Sequence, residues 1–231
     1  MLSSVPLIQG VLFDLDGTLV DSAPDLGGAL NELCLRYQRT PLSPAHYRLF
    51  VSQGARGLLQ AGFDIQPGDL FYEELRDEFL ALYEARLSRE SRLFDPIPAL
   101  LQALEEQHVP WGIVTNKVAR FTQPLVNQLG LFPSHGCLIS GDTCAHPKPW
   151  PDPLLAAARR LQLDPAHLIY VGDDERDMNA AQAAGMGGVI AGWGYLAPGS
   201  CPIDEWPACA HLQHPAEVLD LLPTHCSSCR A

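Results

Sequence analysis

The sequence predicts an α/β protein with a parallel, Rossmann-like sheet, helices on both faces of that sheet, and an inserted all-helical domain. Short apolar runs that end in polar or glycine-containing loops alternate with segments of helical periodicity. Between residues 21 and 92, by contrast, we find helical periodicity and no convincing strand pattern. We therefore expect a core domain formed by residues 1–20 and 93–231, and a separate all-helical domain formed by residues 21–92.

The first element is an apolar strand that runs directly into two carboxylates, Asp14 and Asp16, followed by Gly17. In an open α/β sheet, ligands bind beyond the carboxyl ends of the strands. If the chain turns at Leu15, both carboxylates approach one point, which is unfavourable unless a cation such as Mg²⁺ lies between them. Asp14 and Asp16 are therefore candidate catalytic and metal-binding residues.

The helical block that follows contains a polar segment, residues 52–57, in which two glycines flank Arg56. One interpretation is a loop that reaches the active site, with Arg56 contacting a carboxylate or phosphate of the substrate. The alternative is a surface arginine at the start of a helix.

The core resumes with a helix at residues 96–107 and an apolar strand that ends at Thr115 and Asn116. A hydroxyl or amide group at a strand end can donate hydrogen bonds to a phosphoryl oxygen. After a second helix and a weakly marked strand, a proline-rich loop contains Lys148. Because prolines restrict the backbone, this loop should hold Lys148 at a defined place.

The next strand, residues 168–172, is followed by a group of acidic residues that includes Asp173, Asp174 and Asp177. Asp173 and Asp177 are four residues apart and would share one face of the first helical turn. The helix dipole favours acidic residues at this position, which accounts for one or two of them. It does not account for the whole group beside a buried strand.

The bulk composition limits the possible partners and location. The formal net charge of −12 argues against nucleic acid or an anionic membrane as a general partner, since both bind basic surfaces. No apolar run approaches the roughly 20 residues of a membrane span, and the N-terminus lacks the basic start of a secretory signal. The seven cysteines are odd in number and scattered. We expect a cytoplasmic protein.

The order of these motifs resembles that of the haloacid dehalogenase superfamily, most of whose members are Mg²⁺-dependent phosphatases. The matching features are Asp-Leu-Asp-Gly-Thr at residues 14–18, the strand-end Thr115, Lys148 followed by proline, and the Gly-Asp-x-x-x-Asp motif at residues 172–177. The resemblance covers about residues 8–195 and indicates the phosphoglycolate phosphatase branch, whose small helical cap is inserted after the first strand.

The resemblance implies a role for each carboxylate. Asp14 would attack phosphorus and form an aspartyl-phosphate. Asp16 would protonate the leaving group, later activate water, and bind Mg²⁺ through its backbone carbonyl. Asp173 would bind Mg²⁺ directly. Asp177 or Asp174 would support a metal-bound water or orient Lys148.

The resemblance also implies that Thr115, Asn116 and Lys148 hold the phosphoryl oxygens of a small phosphorylated metabolite. Three stretches, residues 53–56, 93–95 and 111–117, are similar to relatives that dephosphorylate N-acetylmuramic acid 6-phosphate. Two features depart from those relatives: Trp150 stands where an acidic residue is usual, and the tail carries additional cysteines.

Other interpretations remain open on the sequence alone. A phosphomutase of the same superfamily would need a cap group for a second phosphate, and a phosphate-binding protein without turnover would keep the same fold. A phosphoryl-accepting receiver domain is shorter and has no helical insertion. The tail also has zinc-like ligand spacing, for which the alternative is a polar tail with free thiols; the residues are His211, His214, Cys226 and Cys229.

Overall fold

A computed structural model describes residues 7–132, 136–197 and 199–223 of the chain. The strands in chain order are β1 (Gly10–Phe13), β2 (Val20–Asp21), β3 (Arg92–Leu93), β4 (Trp111–Val114), β5 (Cys137–Ile139), β6 (Leu168–Gly172), β7 (Gly187–Ala191) and β8 (Ala210–Leu212). The α-helices are α1 (Ala23–Arg36), α2 (Pro44–Val51), α3 (Gly54–Phe63), α4 (Tyr72–Arg86), α5 (Ile97–Glu106), α6 (Ala119–Leu129), α7 (Asp152–Leu161) and α8 (Glu175–Ala184). Three short 3₁₀ segments lie at Pro165–His167, Ile203–Glu205 and Pro215–Leu221.

Six of the strands form one parallel sheet in the order β5-β4-β1-β6-β7-β8. The register pairs Phe13 of β1 with Ile113 of β4 on one side and with Val171 of β6 on the other. The polar residues that follow these three central strands therefore emerge at one edge of the sheet, as the Rossmann-like prediction requires.

Helices cover both faces of this sheet, and successive residues of β1 point alternately to the two faces. Val11 and Phe13 belong to an apolar cluster that includes residues of α5 and α6, whereas Leu12 packs in a second cluster with residues of α7 and α8. The predicted α/β class with helices on both faces is thus confirmed. Among the helices that the structure describes, none is both long enough and apolar enough to cross a bilayer.

Helices α1 to α4 pack around an apolar core of their own, which includes Leu30, Leu58, Phe79 and Tyr83. The chain enters and leaves this helical unit through β2 and β3, which pair antiparallel as a small ribbon. The expected domain boundaries, after residue 20 and after residue 92, both fall within the ribbon.

Three short strands were not identified from the sequence because they lack the apolar run that marks β1, β4 and β6. β2 and β3 have two residues each, and β8 has three.

The structure does not test the zinc site that the sequence suggested. His211 lies exposed in β8, and His214 accepts a hydrogen bond from the Ala216 amide at the start of the last 3₁₀ segment; Cys226 and Cys229 lie outside the described residues.

Candidate active site

Three carboxylates meet at the carboxyl edge of the sheet. Asp14 follows β1, Asp173 follows the neighbouring strand β6, and Asp177 lies in the first turn of α8. One oxygen of each carboxylate lies within 4.8 Å of the others. A set of ligands made only of oxygen atoms suits a hard divalent cation such as Mg²⁺.

The electrostatics of these carboxylates also fit a cation. Burial raises the pKa of Asp14 to about 7, although Lys148 opposes the shift. Burial, together with Asp14 and Asp177, raises the pKa of Asp173 well above its ordinary value. Buried like charges at this distance are costly, and a bound cation would relieve that cost.

Two positions beside these carboxylates are glycines, because a larger side chain would overlap the carboxylate oxygens. Gly17 has a φ of +87°, and a Cβ atom there would lie 2.2 Å from Asp173 Oδ2. The two oxygens of Asp173 accept hydrogen bonds from Thr18 Oγ1 at 3.0 Å and from the Tyr195 amide at 2.9 Å. At Gly172, a Cβ atom would lie 2.3 Å from Asp177 Oδ2.

Lys148 lies between two of the carboxylates and is buried. Its Nζ atom is 2.9 Å from Asp14 Oδ1 and 2.7 Å from Asp177 Oδ1. It also donates to the Tyr170 hydroxyl at 2.6 Å, and that hydroxyl lies 2.7 Å from the Val114 carbonyl oxygen. Burial alone would lower the pKa of Lys148, but the two carboxylates more than offset it and raise the pKa.

Thr115 and Asn116 follow β4, and the Asn116 side chain is engaged by the backbone of the Lys148 loop. Thr115 is buried at the end of β4 and lines the cavity described below. The Asn116 side chain binds the backbone of Lys148 in both directions: it donates to the carbonyl oxygen and accepts from the amide, each at 2.9 Å. Asn116 thus fixes the loop that carries Lys148, a contact that the sequence analysis did not anticipate.

The Asp16 carboxylate is not one of the three clustered carboxylates and has partners of its own. Lys117 Nζ lies 3.1 Å and 3.0 Å from its two oxygens, and Ser22 Oγ donates to Oδ1 at 2.5 Å. The two aspartates of the first motif therefore have separate environments, one beside the candidate metal ligands and the other held by a lysine and a hydroxyl.

Asp174 also stands apart from the carboxylate cluster. It caps α8 by accepting a hydrogen bond from the Arg176 amide at 2.9 Å and pairs with the Arg176 guanidinium. Of the two residues considered for orienting Lys148, Asp177 makes the contact in this structure. Arg176 reaches across to the cap and donates to the Ser52 carbonyl oxygen at 2.5 Å.

A cavity of about 440 Å³ lies between the carboxylates and the cap. The core contributes its polar floor, which includes Asp14, Thr115 and Lys148. The cap contributes mostly apolar side chains and the polar segment 52–54; its apolar lining residues are Leu26, Val51, Ala55, Phe79, Leu80 and Tyr83.

Arg56 is not part of this lining. Helix α3 begins at Gly54, and in its first turn Ala55 faces the cavity while Arg56 is exposed. Of the two interpretations of Arg56, the structure agrees with a surface arginine at the start of a helix.

Three residues of the site were missed from the sequence. Tyr170 has the pattern of an ordinary strand residue, and Arg176 that of a solvated helix residue, so neither carried a usable signal. Lys117 did carry one, because Lys117 and Lys148 are the only two lysines in the sequence.

Comparison with known proteins agrees with this geometry. Residues 11–191 match the family model described as haloacid dehalogenase-like hydrolase. The chain is 36% identical over 222 residues to an N-acetylmuramic acid 6-phosphate phosphatase from Pseudomonas aeruginosa, covering 96% of this chain and 98% of the relative. It is 42% identical over 210 residues to a phosphoglycolate phosphatase from Xanthomonas campestris, covering 91% and 94%.

The fold is likewise similar to solved structures. A crystal structure described as a predicted phosphoglycolate phosphatase from Haemophilus somnus superimposes with a TM-score of 0.80 and 26% identity, covering 93% of this chain and 97% of that one. The family model spans most of the chain, and curated phosphatases match nearly all of it. The chain therefore belongs to the haloacid dehalogenase-like hydrolase family, as one of its phosphatases.

Proposed function

We propose that the protein is a cytoplasmic, Mg²⁺-dependent phosphatase that hydrolyses a small phosphomonoester through an aspartyl-phosphate on Asp14. The observation that carries the proposal is the cluster of Asp14, Asp173 and Asp177 beneath the cavity, with the Lys148 ammonium group between two of them. Asp14, Asp173 and Asp177 would hold Mg²⁺, which when bound would offset the negative charge of the phosphoryl group.

In the first step, an Asp14 carboxylate oxygen attacks phosphorus. The bond from phosphorus to the leaving oxygen breaks, its electron pair stays on that oxygen, and Asp16 supplies the proton. In the second step, the Asp16 carboxylate takes a proton from water, and the water oxygen displaces Asp14 from phosphorus. The separate environments of Asp14 and Asp16 suit this division of work.

The phosphoryl oxygens also need hydrogen-bond donors. Thr115 and Lys148 line the cavity beside Asp14, and the Thr115 hydroxyl and the Lys148 ammonium group take this role in the proposal. Asn116 acts by positioning Lys148, since its side-chain amide is bound to the Lys148 backbone.

The test is phosphate release with and without Mg²⁺, using the wild-type protein and Asp14→Asn. We expect turnover that requires Mg²⁺ and falls at least about 10³-fold in Asp14→Asn, because removing a covalent nucleophile removes the route itself. Asp204→Asn, at an exposed position outside the cavity, should retain wild-type turnover. Mg²⁺-independent release, or full activity in Asp14→Asn, would refute the proposal.

For the substrate, we propose N-acetylmuramic acid 6-phosphate ahead of 2-phosphoglycolate. Each cation that lines the cavity is already paired: Lys117 with Asp16, Lys148 with Asp14 and Asp177, and Arg176 with Asp174. The described cap residues in the lining contribute no charged side chain. The carboxylate of 2-phosphoglycolate would sit close to its phosphate with no unpaired cation to receive it.

A sugar phosphate fits the same wall better. The carboxylate of N-acetylmuramic acid 6-phosphate lies on a lactyl group remote from the phosphate, and its ring has apolar faces that can pack against the partly exposed cap residues Ala55 and Leu80. The absence of a cap cation among the described lining residues also disfavours a phosphomutase, which must hold a second phosphate there.

Measurement of kcat/KM on both compounds tests this choice. We expect kcat/KM for N-acetylmuramic acid 6-phosphate to exceed that for 2-phosphoglycolate by at least about tenfold, the effect of about 1.4 kcal/mol in the transition state. Leu80→Ala should raise KM for the sugar phosphate more than for 2-phosphoglycolate. A preference for 2-phosphoglycolate would overturn the substrate assignment and leave the chemistry standing.

A further inference from the structure

Lys117 is one of only two lysines in a sequence that is otherwise rich in arginine. The sequence has 13 arginines but only two lysines. Both lysine side chains are nearly buried in the active site, at 7% exposure for Lys117 and 3% for Lys148, and both contact catalytic carboxylates. Lys148 matches a motif of the family, whereas nothing so far assigns a role to Lys117.

Lys117 lines the cavity and contacts the Asp16 carboxylate. Its Nζ atom lies 3.1 Å and 3.0 Å from the two Asp16 oxygens. A lysine ammonium is a compact charge with three donors, so it can face both oxygens of one carboxylate and still be reached from a third side. Desolvation opposes charge on Lys117, but Asp16 and Tyr83 more than offset it and hold its pKa above the ordinary value.

The third side of Lys117 faces the cap. Its Nζ atom lies 4.8 Å from the centre of the Tyr83 ring, within the range of a cation–π contact. Tyr83 is 1% exposed and belongs to α4, in the apolar core of the cap. Lys117 therefore touches the carboxyl group that moves protons and an aromatic ring of the domain that covers it.

Asp16 has a second restraint, which comes from the ribbon between the domains. Ser22 directly follows β2, and its hydroxyl donates to Asp16 Oδ1 at 2.5 Å. The Ser22 and Ala23 amides in turn donate to the Tyr195 hydroxyl at 2.8 Å and 2.9 Å. The two partners of Asp16 are thus both linked to the cap: Lys117 contacts Tyr83, and Ser22 lies at the start of the segment that enters the cap.

We infer that Lys117 is a positioning residue that sets the Asp16 carboxyl group for proton transfer to the leaving oxygen, and that Tyr83 of the cap holds Lys117 in that position. This inference rests on the proposed role of Asp16. When Asp16 gives up its proton, the leaving oxygen keeps the electron pair of the broken bond and takes that proton. The adjacent ammonium group stabilises the carboxylate charge that remains.

If Lys117 acts through Asp16, the loss of kcat/KM in a Lys117 variant depends on whether the leaving group needs a proton. A sugar alkoxide needs a proton as it departs, whereas p-nitrophenolate is stable without one. Lys117→Met should lower kcat/KM for a sugar 6-phosphate by about 10- to 100-fold, within the usual contribution of general acid catalysis. For p-nitrophenyl phosphate the loss should stay below about threefold. Lys117→Arg, which keeps a cation, should restore part of the difference.

Two further variants complete the kinetic test. Tyr83→Leu should shift the ratio of the two kcat/KM values in the same direction as Lys117→Met, by a smaller factor. Arg159→Met removes an exposed cation from α7, outside the cavity, and should keep the wild-type ratio. An equal loss on both substrates in Lys117→Met would mean a merely structural role and would overturn the inference, as would no loss at all.

A second readout needs no turnover. In full-length protein labelled with ¹⁵N-lysine and saturated with Mg²⁺, only two side-chain ammonium signals are expected, and Lys117→Met identifies one of them. Asp16→Asn should shift the Lys117 signal, and Asp204→Asn should shift neither. An unmoved Lys117 signal in Asp16→Asn would overturn the contact itself. Failure of the proposed phosphatase function would appear only in the assays, so the two failures are distinguishable.

Discussion

The Asp14 carboxyl group is held in its neutral form at acidic pH by its surroundings. Burial raises its pKa to about 7, with Asp177 and Asp16 adding to the shift and Lys148 opposing it. In the unfolded chain the same group ionises near its ordinary pKa of 3.8. Between these two values the folded protein binds more protons than the unfolded chain, so the free energy of unfolding of the metal-free protein falls as pH rises.

Asp14→Asn therefore separates catalysis from stability. Asparagine resembles the neutral carboxyl group, so the metal-free variant should be more stable than the wild type at pH 8, where the full cost of ionising Asp14 is present. At pH 5 the gain should be smaller, because most of the titration window lies above that pH. Urea denaturation in the presence of a chelator, at both pH values, measures the difference.

The exposed substitution Asp204→Asn is the control for this measurement and should give no difference that depends on pH. A metal-free Asp14→Asn protein that is less stable than the wild type at pH 8 would show that Lys148 outweighs the burial of Asp14.

At the scale of secondary structure elements, one buried carboxylate joins the two connections of the cap. Asp25 lies in the first turn of α1 and is completely buried. It accepts hydrogen bonds from the Ser91 amide at 2.9 Å, the Ser91 hydroxyl at 2.7 Å and the Glu90 amide. The segment that enters the cap is thus bound to the segment that leaves it, next to the β2–β3 ribbon.

Asp25→Ala should destabilise the protein by about 2–4 kcal/mol, because it leaves buried donors of the leaving segment without an acceptor. Asp77→Ala removes an exposed carboxylate from α4 of the same domain, paired only at the surface with Arg76. It should cost less than about 1 kcal/mol. Urea denaturation of both variants gives the comparison, and equal stability of the two would contradict the role assigned to Asp25.

The elements that could be predicted from the sequence are those whose signal is local. The central strands are apolar runs that end in glycine, a carboxylate or a hydroxyl group, and they led directly to Asp14, Thr115 and Asp173. Lys148 followed from its proline-rich loop together with the resemblance to a family. Each of these signals lies within a few residues of the chain.

The remaining features depend on tertiary partners. The orientation of Arg56 depends on α3 beginning at Gly54, and the contact of Asn116 depends on where the Lys148 loop passes it. The strands β2 and β3 consist of two residues each and exist through their pairing with one another. A sequence pattern contains none of these distances, so they became visible only in the structure.

At the scale of the whole molecule, the cavity is formed between two domains that each have their own apolar core. Its floor comes from the sheet edge and its wall from the cap, so access and fit depend on how the two domains are held together. The ribbon is one connection. Arg176 provides another contact, since it is fixed by Asp174 on the core and donates to the Ser52 carbonyl oxygen on the cap.

Arg176→Met should loosen the cap without altering the carboxylates that perform the chemistry. We expect KM for the substrate to rise by about tenfold while kcat changes by less than about threefold, the pattern of lost binding common to ground state and transition state. Amide hydrogen exchange of residues 52–54 should become faster, because the Ser52 carbonyl oxygen loses its donor from the core.

Arg159→Met, the exposed control on α7, should leave KM and the exchange of residues 52–54 unchanged. If Arg176→Met lowers kcat and leaves hydrogen exchange as it was, Arg176 acts on the reacting groups and not on the seating of the cap. The two measurements together distinguish these cases because Asp174, the partner of Arg176, lies next to the candidate metal ligand Asp173 whereas Ser52 lies in the cap.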